Sequence, residues 1–287
     1  MTKKKDVHAQ TLKIPKLILL CAKFLELIST NLVTLFAARL FTTPIKHKIP
    51  KREFHMNQNS TQKTILIPII NKEIVVYHYG KSEKKVLIVH GWSGRGTQLV
   101  KIADELIELG YSIISFDAPA HGKSKGNSTI MTEFIASILV VEQQFGPFEF
   151  AIGHSLGGMS ILNAIKQNLQ VKKAVIIGSG DIIQDIIDDF VKKLKLKSGI
   201  GILLRNHFER KYNQKMNDYS ASEAAKVVKI PILIIHDTDD TDVNVKAAHH
   251  IKENLLNSEI MITTGLGHRK ILGNKEVINR IVEFIQK

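Results

Sequence analysis

From residue 65 onward, short runs of aliphatic and β-branched residues alternate with longer stretches whose apolar positions recur every three or four residues. The short runs predict strands at 65–70, 74–79, 86–89, 112–116, 150–153, 174–177, 232–236 and 260–263. The longer stretches predict amphipathic helices over 99–109, 131–144, 155–168, 245–256 and 275–285. Strand and helix in alternation imply a mostly parallel, eight-stranded sheet with helices on both faces. In such a sheet, functional groups gather at the carboxyl ends of the strands.

Two regions break the rhythm. Residues 181–229 are helical and partly basic with no strand pattern, and are expected to form a cap of helices inserted over the carboxyl edge of the sheet. Residues 12–41 are strongly apolar, but Lys16, Lys23, Glu26 and Arg39 interrupt them, so no uncharged run is long enough for a simple transmembrane span. Lys3, Lys4 and Lys5 before this stretch imitate a signal peptide, but Lys23 cuts the apolar part short and no small-residue cleavage site follows. The segment is therefore expected to be helical. It would lie in a membrane interface, pack on the rest of the chain, or pair with a second copy. Residues 42–64, with Pro44, Pro50 and many polar side chains, read as a linker. The expected organisation is a basic, hydrophobic amino-terminal segment with its linker at 1–50, followed by one domain at 60–287.

The 287 residues carry a net charge of +13. Such a balance favours anionic partners, and its closeness to the apolar amino terminus points to a membrane surface. Nucleic acid is not expected, because the Lys and Arg are scattered and no nucleic-acid motif is present. The single cysteine, Cys21, rules out an internal disulfide and a cysteine-rich metal site. A cytoplasmic location, with peripheral contact on the inner membrane surface through residues 12–41, follows as an expectation.

The candidate chemistry centres on Gly153-His154-Ser155-Leu156-Gly157, entered by Phe148-Glu149-Phe150-Ala151-Ile152 and left by a helical pattern. That is a strand, a tight turn and a helix, with a serine at the apex where a histidine can reach its hydroxyl. Further motifs follow the third and fourth predicted strands. They are His90-Gly91-Trp92-Ser93-Gly94 and Asp117-Ala118-Pro119-Ala120-His121-Gly122-Lys123-Ser124. Together these residues make the chain resemble the α/β-hydrolase superfamily, and the esterase, lysophospholipase and serine aminopeptidase group within it, over residues 65–287. The first motif is similar to the family's oxyanion loop. The second is similar to its Asp-x-Pro-Gly-His-Gly-x-Ser segment, with Ala120 in place of a glycine.

The resemblance implies a Ser-His-Asp triad. Related sequences read His-Gly-x-x-Asp-x-x-Val-Pro after the strand that follows the cap, and aligning His236 and Val243 puts Asp240 at the acid's place. Asp239 is the alternative, one residue away; the other aspartates of this loop would be solvated carboxylates or turn formers. His268, after a glycine-bearing loop and the last strand, takes the place of the base. His249 and His250 are expected to face solvent, and His90, His121, His154 and His236 to shape loops. The implied roles are Ser155 as nucleophile, His268 as general base, Asp240 as its orienting acid, and the backbone N–H groups of Trp92 and Leu156 as oxyanion donors. No metal or organic cofactor is implied. The expected substrate is a small-molecule ester or thioester of a hydrophobic acyl group. A serine aminopeptidase or acyltransferase would use the same triad, whereas a non-enzymatic ligand-binding protein or a membrane tether would not need it. Oligomeric state stays open.

Overall fold

A computed structural model of the protein describes residues 14–287. The Lys3-Lys4-Lys5 run and the first two residues of the 12–41 segment lie outside the described residues. Eight strands form one sheet: β1 (Thr61–Ile67), β2 (Lys72–Tyr79), β3 (Lys85–Val89), β4 (Ser112–Asp117), β5 (Phe150–His154), β6 (Lys173–Ile177), β7 (Ile232–Asp237) and β8 (Ser258–Thr263). Their spatial order is β1-β2-β4-β3-β5-β6-β7-β8. β2 runs antiparallel to both β1 and β4, and the other neighbours are parallel. Every predicted strand run overlaps an observed strand, but the run at 65–70 ends at Ile67, where Pro68–Ile70 forms a 3-10 turn. β1 starts at Thr61, earlier than its apolar pattern indicates, because its first four residues are exposed and only their backbone pairs with β2.

The helices are α1 (Lys16–Ile28), α2 (Thr30–Phe41), α3 (Phe54–Asn59), α4 (Val100–Glu108), α5 (Met131–Phe145), α6 (Leu156–Lys166), α7 (Ile183–Lys193), α8 (Gly199–Tyr212), α9 (Ala221–Ala225), α10 (Lys246–Asn254), α11 (Gly267–Lys270) and α12 (Lys275–Gln286). Alternate residues of the central strands separate into two cores, as the two-residue period of a strand requires. Leu87, Val89, Ala174, Ile176, Ile232 and Ile234 pack with Phe134 and Ile138 of α5 and Ile161 of α6. Val86, Ile88, Val175, Ile177, Leu233 and Ile235 pack with Ile102 and Leu106 of α4 and Val277 and Ile281 of α12. Each large aliphatic side chain so buried stabilises by about 1.5–3 kcal/mol relative to exposure, so the centre of the sheet is held from both sides.

Between β6 and β7 the chain forms α7, α8, a 3-10 turn (Met216–Tyr219) and α9, with no strand. The amino-terminal segment is a helical hairpin broken at Ser29, whose backbone is extended. α2 buries Val33, Ala37 and Ala38 and packs on α8, and α1 packs on α2. Phe41 closes the contact, with its ring 5.1 Å from Phe190 and 5.6 Å from Phe208. Among the described residues, no helix is long and apolar enough to cross a membrane.

Residues 42–64 do not behave as a linker. They form a 3-10 turn (Lys51–Glu53), α3 and the first half of β1. Glu53 and Met56 are buried, the latter against the core under α4. The Ile45 N–H donates to Ser93 Oγ at 3.0 Å, and the Thr42 carbonyl accepts from Thr129 N–H at 2.8 Å. The polar and proline-bearing composition misleads because a few of its groups, Glu53 and the Thr42 carbonyl among them, are bonded by other loops while most of the rest face solvent.

Candidate active site

β5 ends at His154, paired with Ile177, and the chain turns sharply at Ser155. Ser155 has φ 54° and ψ −120°, a strained conformation for a residue with a side chain that costs on the order of 1–3 kcal/mol. The surroundings hold it there. Its N–H donates to the Ile177 carbonyl at 2.9 Å, and its own carbonyl accepts from Gly158 N–H at 3.0 Å. Gly157 passes so close beneath β3 that a Cβ would clash with the carbonyls of Val89 and His90, the latter at 2.7 Å. That contact seats the first turn of α6 against the strand ends. Among the described residues, no acceptor meets the backbone N–H groups of Leu156 and Trp92.

The loop after β3 lies against this turn: a Cβ at Gly91 would come within 2.9 Å of Ser155 Cβ. Two imidazoles fasten the loop. His90 Nδ1 donates to the Gly91 carbonyl at 2.7 Å, and its Nε2 accepts from Ala118 N–H at 3.1 Å. His121 Nδ1 donates to the Pro119 carbonyl and its Nε2 accepts from Ser93 N–H, both at 3.0 Å. Each ring must therefore be neutral and protonated on Nδ1. Burial enforces this, pulling the pKa of His90 down to about 4 and that of His121 to about 2. The Trp92 indole packs edge-on against His121, with ring centroids 5.3 Å apart.

A further anchor of this loop was invisible in the sequence. Glu53, fully buried, accepts from Arg95 Nη1 at 3.0 Å and from Thr97 Oγ1 at 2.8 Å. Arg95 also donates to the His47 carbonyl at 3.4 Å, and Gly96 N–H donates to Asp117 Oδ1 at 2.7 Å. The partners come from the supposed linker, so no local motif signals them.

On the other side of Ser155, Asp240 and His268 meet: Asp240 Oδ2 accepts from His268 Nδ1 at 2.6 Å, and both side chains are buried. Asp240 Oδ1 accepts from the N–H groups of Asp242 and Val243, each at 2.8 Å. Burial opposes ionisation of Asp240. The hydrogen bond and charge of His268, helped by Val243 N–H, outweigh it and hold the carboxyl below its ordinary pKa. Asp239 makes no such contact; its backbone donates to Asp237 Oδ1.

Asp237 corrects the expectation of a solvated carboxylate. It is fully buried and accepts from Thr263 Oγ1 at 2.6 Å and from the N–H groups of Asp239, Gly267 and Leu266 at 2.9, 2.9 and 3.1 Å. It thus fixes the loop that carries His268 to the loop that carries Asp240. His250 also departs from expectation, because its Nδ1 bonds Asp181 at the start of the 181–229 insertion rather than water alone; His249 is exposed. The reason is tertiary, since α9, near the end of that insertion, packs on both α6 and α10.

Ser155 and the Asp240–His268 pair border two consecutive residues at the end of β6. Ile177 takes the Ser155 N–H, and Gly178, at φ +56°, leaves room where a Cβ would stand 3.3 Å from His268 Nδ1. His154, next to Ser155, donates from Nε2 to the His268 carbonyl at 2.8 Å, with ring centroids 4.6 Å apart. Its burial, beside His268, drives its pKa well below the ordinary value.

Comparison with known proteins agrees with this topology. The sequence model described as "alpha/beta hydrolase fold" matches residues 84–194. The 2-hydroxy-6-oxononadienedioate/2-hydroxy-6-oxononatrienedioate hydrolase of Escherichia coli K12 is 34% identical over 110 residues, which are 35% of this chain. The chain spans only 38% of the length of the curated relatives it matches. Among solved structures, an esterase of Pyrococcus furiosus superposes with a TM-score of 0.65 at 18% identity, over 85% of this chain and 97% of that one. An esterase from Exiguobacterium antarcticum gives 0.62 at 19% identity, over 79% and 100%. At these identities the structural likenesses establish the fold. Strand order and the structural likenesses together give this chain the α/β-hydrolase fold, and residues 84–194 match the sequence model of that fold.

Proposed function

We propose that the protein is a serine hydrolase that cleaves a carboxylic ester or thioester of a hydrophobic acyl group. His268 takes the proton of the Ser155 hydroxyl as its oxygen attacks the acyl carbonyl, and Asp240 holds the imidazole in the tautomer with Nδ1–H and stabilises the charge it gains. The N–H groups of Leu156 and Trp92 receive the oxyanion; one such donor contributes about 3 kcal/mol to the transition state. The imidazolium then protonates the leaving alcohol or thiol, and water repeats the sequence in reverse roles to release the acid. The observation that carries the reading is the buried Asp240–His268 pair at 2.6 Å near a strained serine, with the N–H groups of Leu156 and Trp92 meeting no acceptor among the described residues.

The test is hydrolysis of p-nitrophenyl esters from acetate to palmitate by the intact protein, Ser155→Ala and His268→Ala. The reading expects turnover that either substitution reduces by a factor on the order of 10⁴ or more. No turnover by folded protein across the series overturns it, as does activity that survives Ser155→Ala.

A further inference from the structure

We propose that the outer face of the α1–α2 hairpin docks on an anionic phospholipid bilayer, and that the groove between α2 and α8 receives a lipid phosphate. The proposal stands independently of the esterase reading. Leu17, Leu20, Phe24 and Leu27 are 71%, 67%, 64% and 87% exposed. Their spacing of three or four residues places them in one line along α1. α2, packed alongside, adds Leu32 and Leu35 at 46% and 53% exposure. A surface helix ordinarily turns polar residues outward, whereas α1 is apolar on its outer face as well as its inner one. Scattered exposed leucines need no explanation, but a continuous stripe of this kind marks a contact surface.

Charge selects the occupant. The hairpin's one acid among the described residues, Glu26, is taken by Lys23 at 2.8 Å, which leaves Lys16 and Arg39 uncompensated. The neighbouring α7–α8 stretch, residues 183–212, carries seven Lys and Arg against four Asp and Glu. Arg39 lies four residues beyond Leu35 on the same face of α2 and opens into a groove of about 280 Å³. Its other walls include Thr42, Ser128, His207, Lys211 and Tyr212. Among the described residues, neither Arg39 nor Lys211 meets a carboxylate; Lys211 lies over the Tyr212 ring at 5.3 Å. Hydroxyls, two cations without a carboxylate partner among the described residues and an apolar rim suit a phosphate diester joined to acyl chains. A second copy docking through the same face would set like charges against each other. An anionic bilayer takes up both the apolar stripe and the cations, with the hairpin lying flat in the interface, since no described helix can span.

The experiment is co-sedimentation of the full chain with vesicles of phosphatidylcholine alone and of phosphatidylcholine containing one third phosphatidylglycerol. Partitioning onto the anionic vesicles should be about tenfold stronger and should weaken as salt rises. A Leu20→Ser/Leu27→Ser variant should lose about tenfold in binding while keeping its melting temperature, since both side chains are exposed. Arg39→Gln/Lys211→Gln should lose a similar factor and most of the salt dependence. Failure of the intact protein to bind anionic vesicles overturns the proposal. So does a dimer in solution that Leu20→Ser/Leu27→Ser dissociates while vesicle binding is unchanged. Equal binding by Arg39→Gln/Lys211→Gln removes the phosphate groove. Ester hydrolysis, measured in parallel on a soluble substrate, separates failure at this surface from failure of the catalytic reading.

Discussion

Replacing Glu53 by leucine should test whether the amino-terminal strap holds the loop that carries Trp92. The carboxylate is completely buried and serves Arg95 at 3.0 Å and Thr97 at 2.8 Å. Without it, the Arg95 guanidinium, 8% exposed, retains only the His47 carbonyl at 3.4 Å. Removing one partner of a buried ion pair leaves an uncompensated charge and costs about 3–5 kcal/mol. The lost Thr97 hydrogen bond adds roughly 1 kcal/mol. At roughly 2–4 °C per kcal/mol for larger domains, the pair alone predicts a fall in melting temperature of roughly 6–20 °C. Replacing both partners, Glu53→Leu with Arg95→Met, removes both charges and should recover most of that loss, because an apolar pair of similar volume is often as stable as the ion pair. Urea unfolding of the two single variants and the double variant forms a cycle that isolates the coupling. A single-variant loss below about 1 kcal/mol, or losses that simply add in the double variant, would refute the argument.

Three other outcomes follow from the site. His90, His121 and His154 are held neutral by burial, so their folded pKa values lie below the unfolded value of about 6.5. As pH falls through 6.5 the unfolded chain binds the extra protons, and stability should drop by up to about 4 kcal/mol per pH unit for the three groups together. Urea midpoints at neutral and mildly acidic pH measure this, and an unchanged midpoint counts against it; Asp240, with its depressed pKa, contributes losses only below about pH 4. Asp240→Asn should lower kcat by about 10⁴ while Asp239→Asn stays within a few-fold, and the reverse order would reassign the acid. Gly157→Ala forces a methyl against two carbonyls of the β3 end and should cost about 1–3 kcal/mol or more in urea unfolding, with a wild-type midpoint showing that the contact is looser than described.

Much of the architecture was legible because it depends on local pattern. A strand buried on both faces must be apolar along its length, so 86–89, 150–153 and 232–236 announced themselves, and the elbow required a serine between glycines at a strand-to-helix junction. His268 and Asp240 were candidates through the resemblance, which places the acid after the strand following the cap and the histidine after the last strand; the parallel sheet brings the carboxyl ends of those strands to one edge. What decided the rest is contact between residues far apart in sequence, which leaves no periodic trace. Glu53 could be told from a solvated glutamate only once the fold set it against Arg95. Asp237 could be told from a solvated carboxylate only once Thr263, Leu266 and Gly267 closed around it. The amino-terminal segment shows the division most plainly. Its composition announced helix and an apolar face, but α8 determined which side of α2 is covered and so left Leu17, Leu20, Phe24 and Leu27 of α1 in solvent. Local propensity and period are properties of the chain; which polar group is satisfied and which apolar face stays bare are properties of the packed molecule.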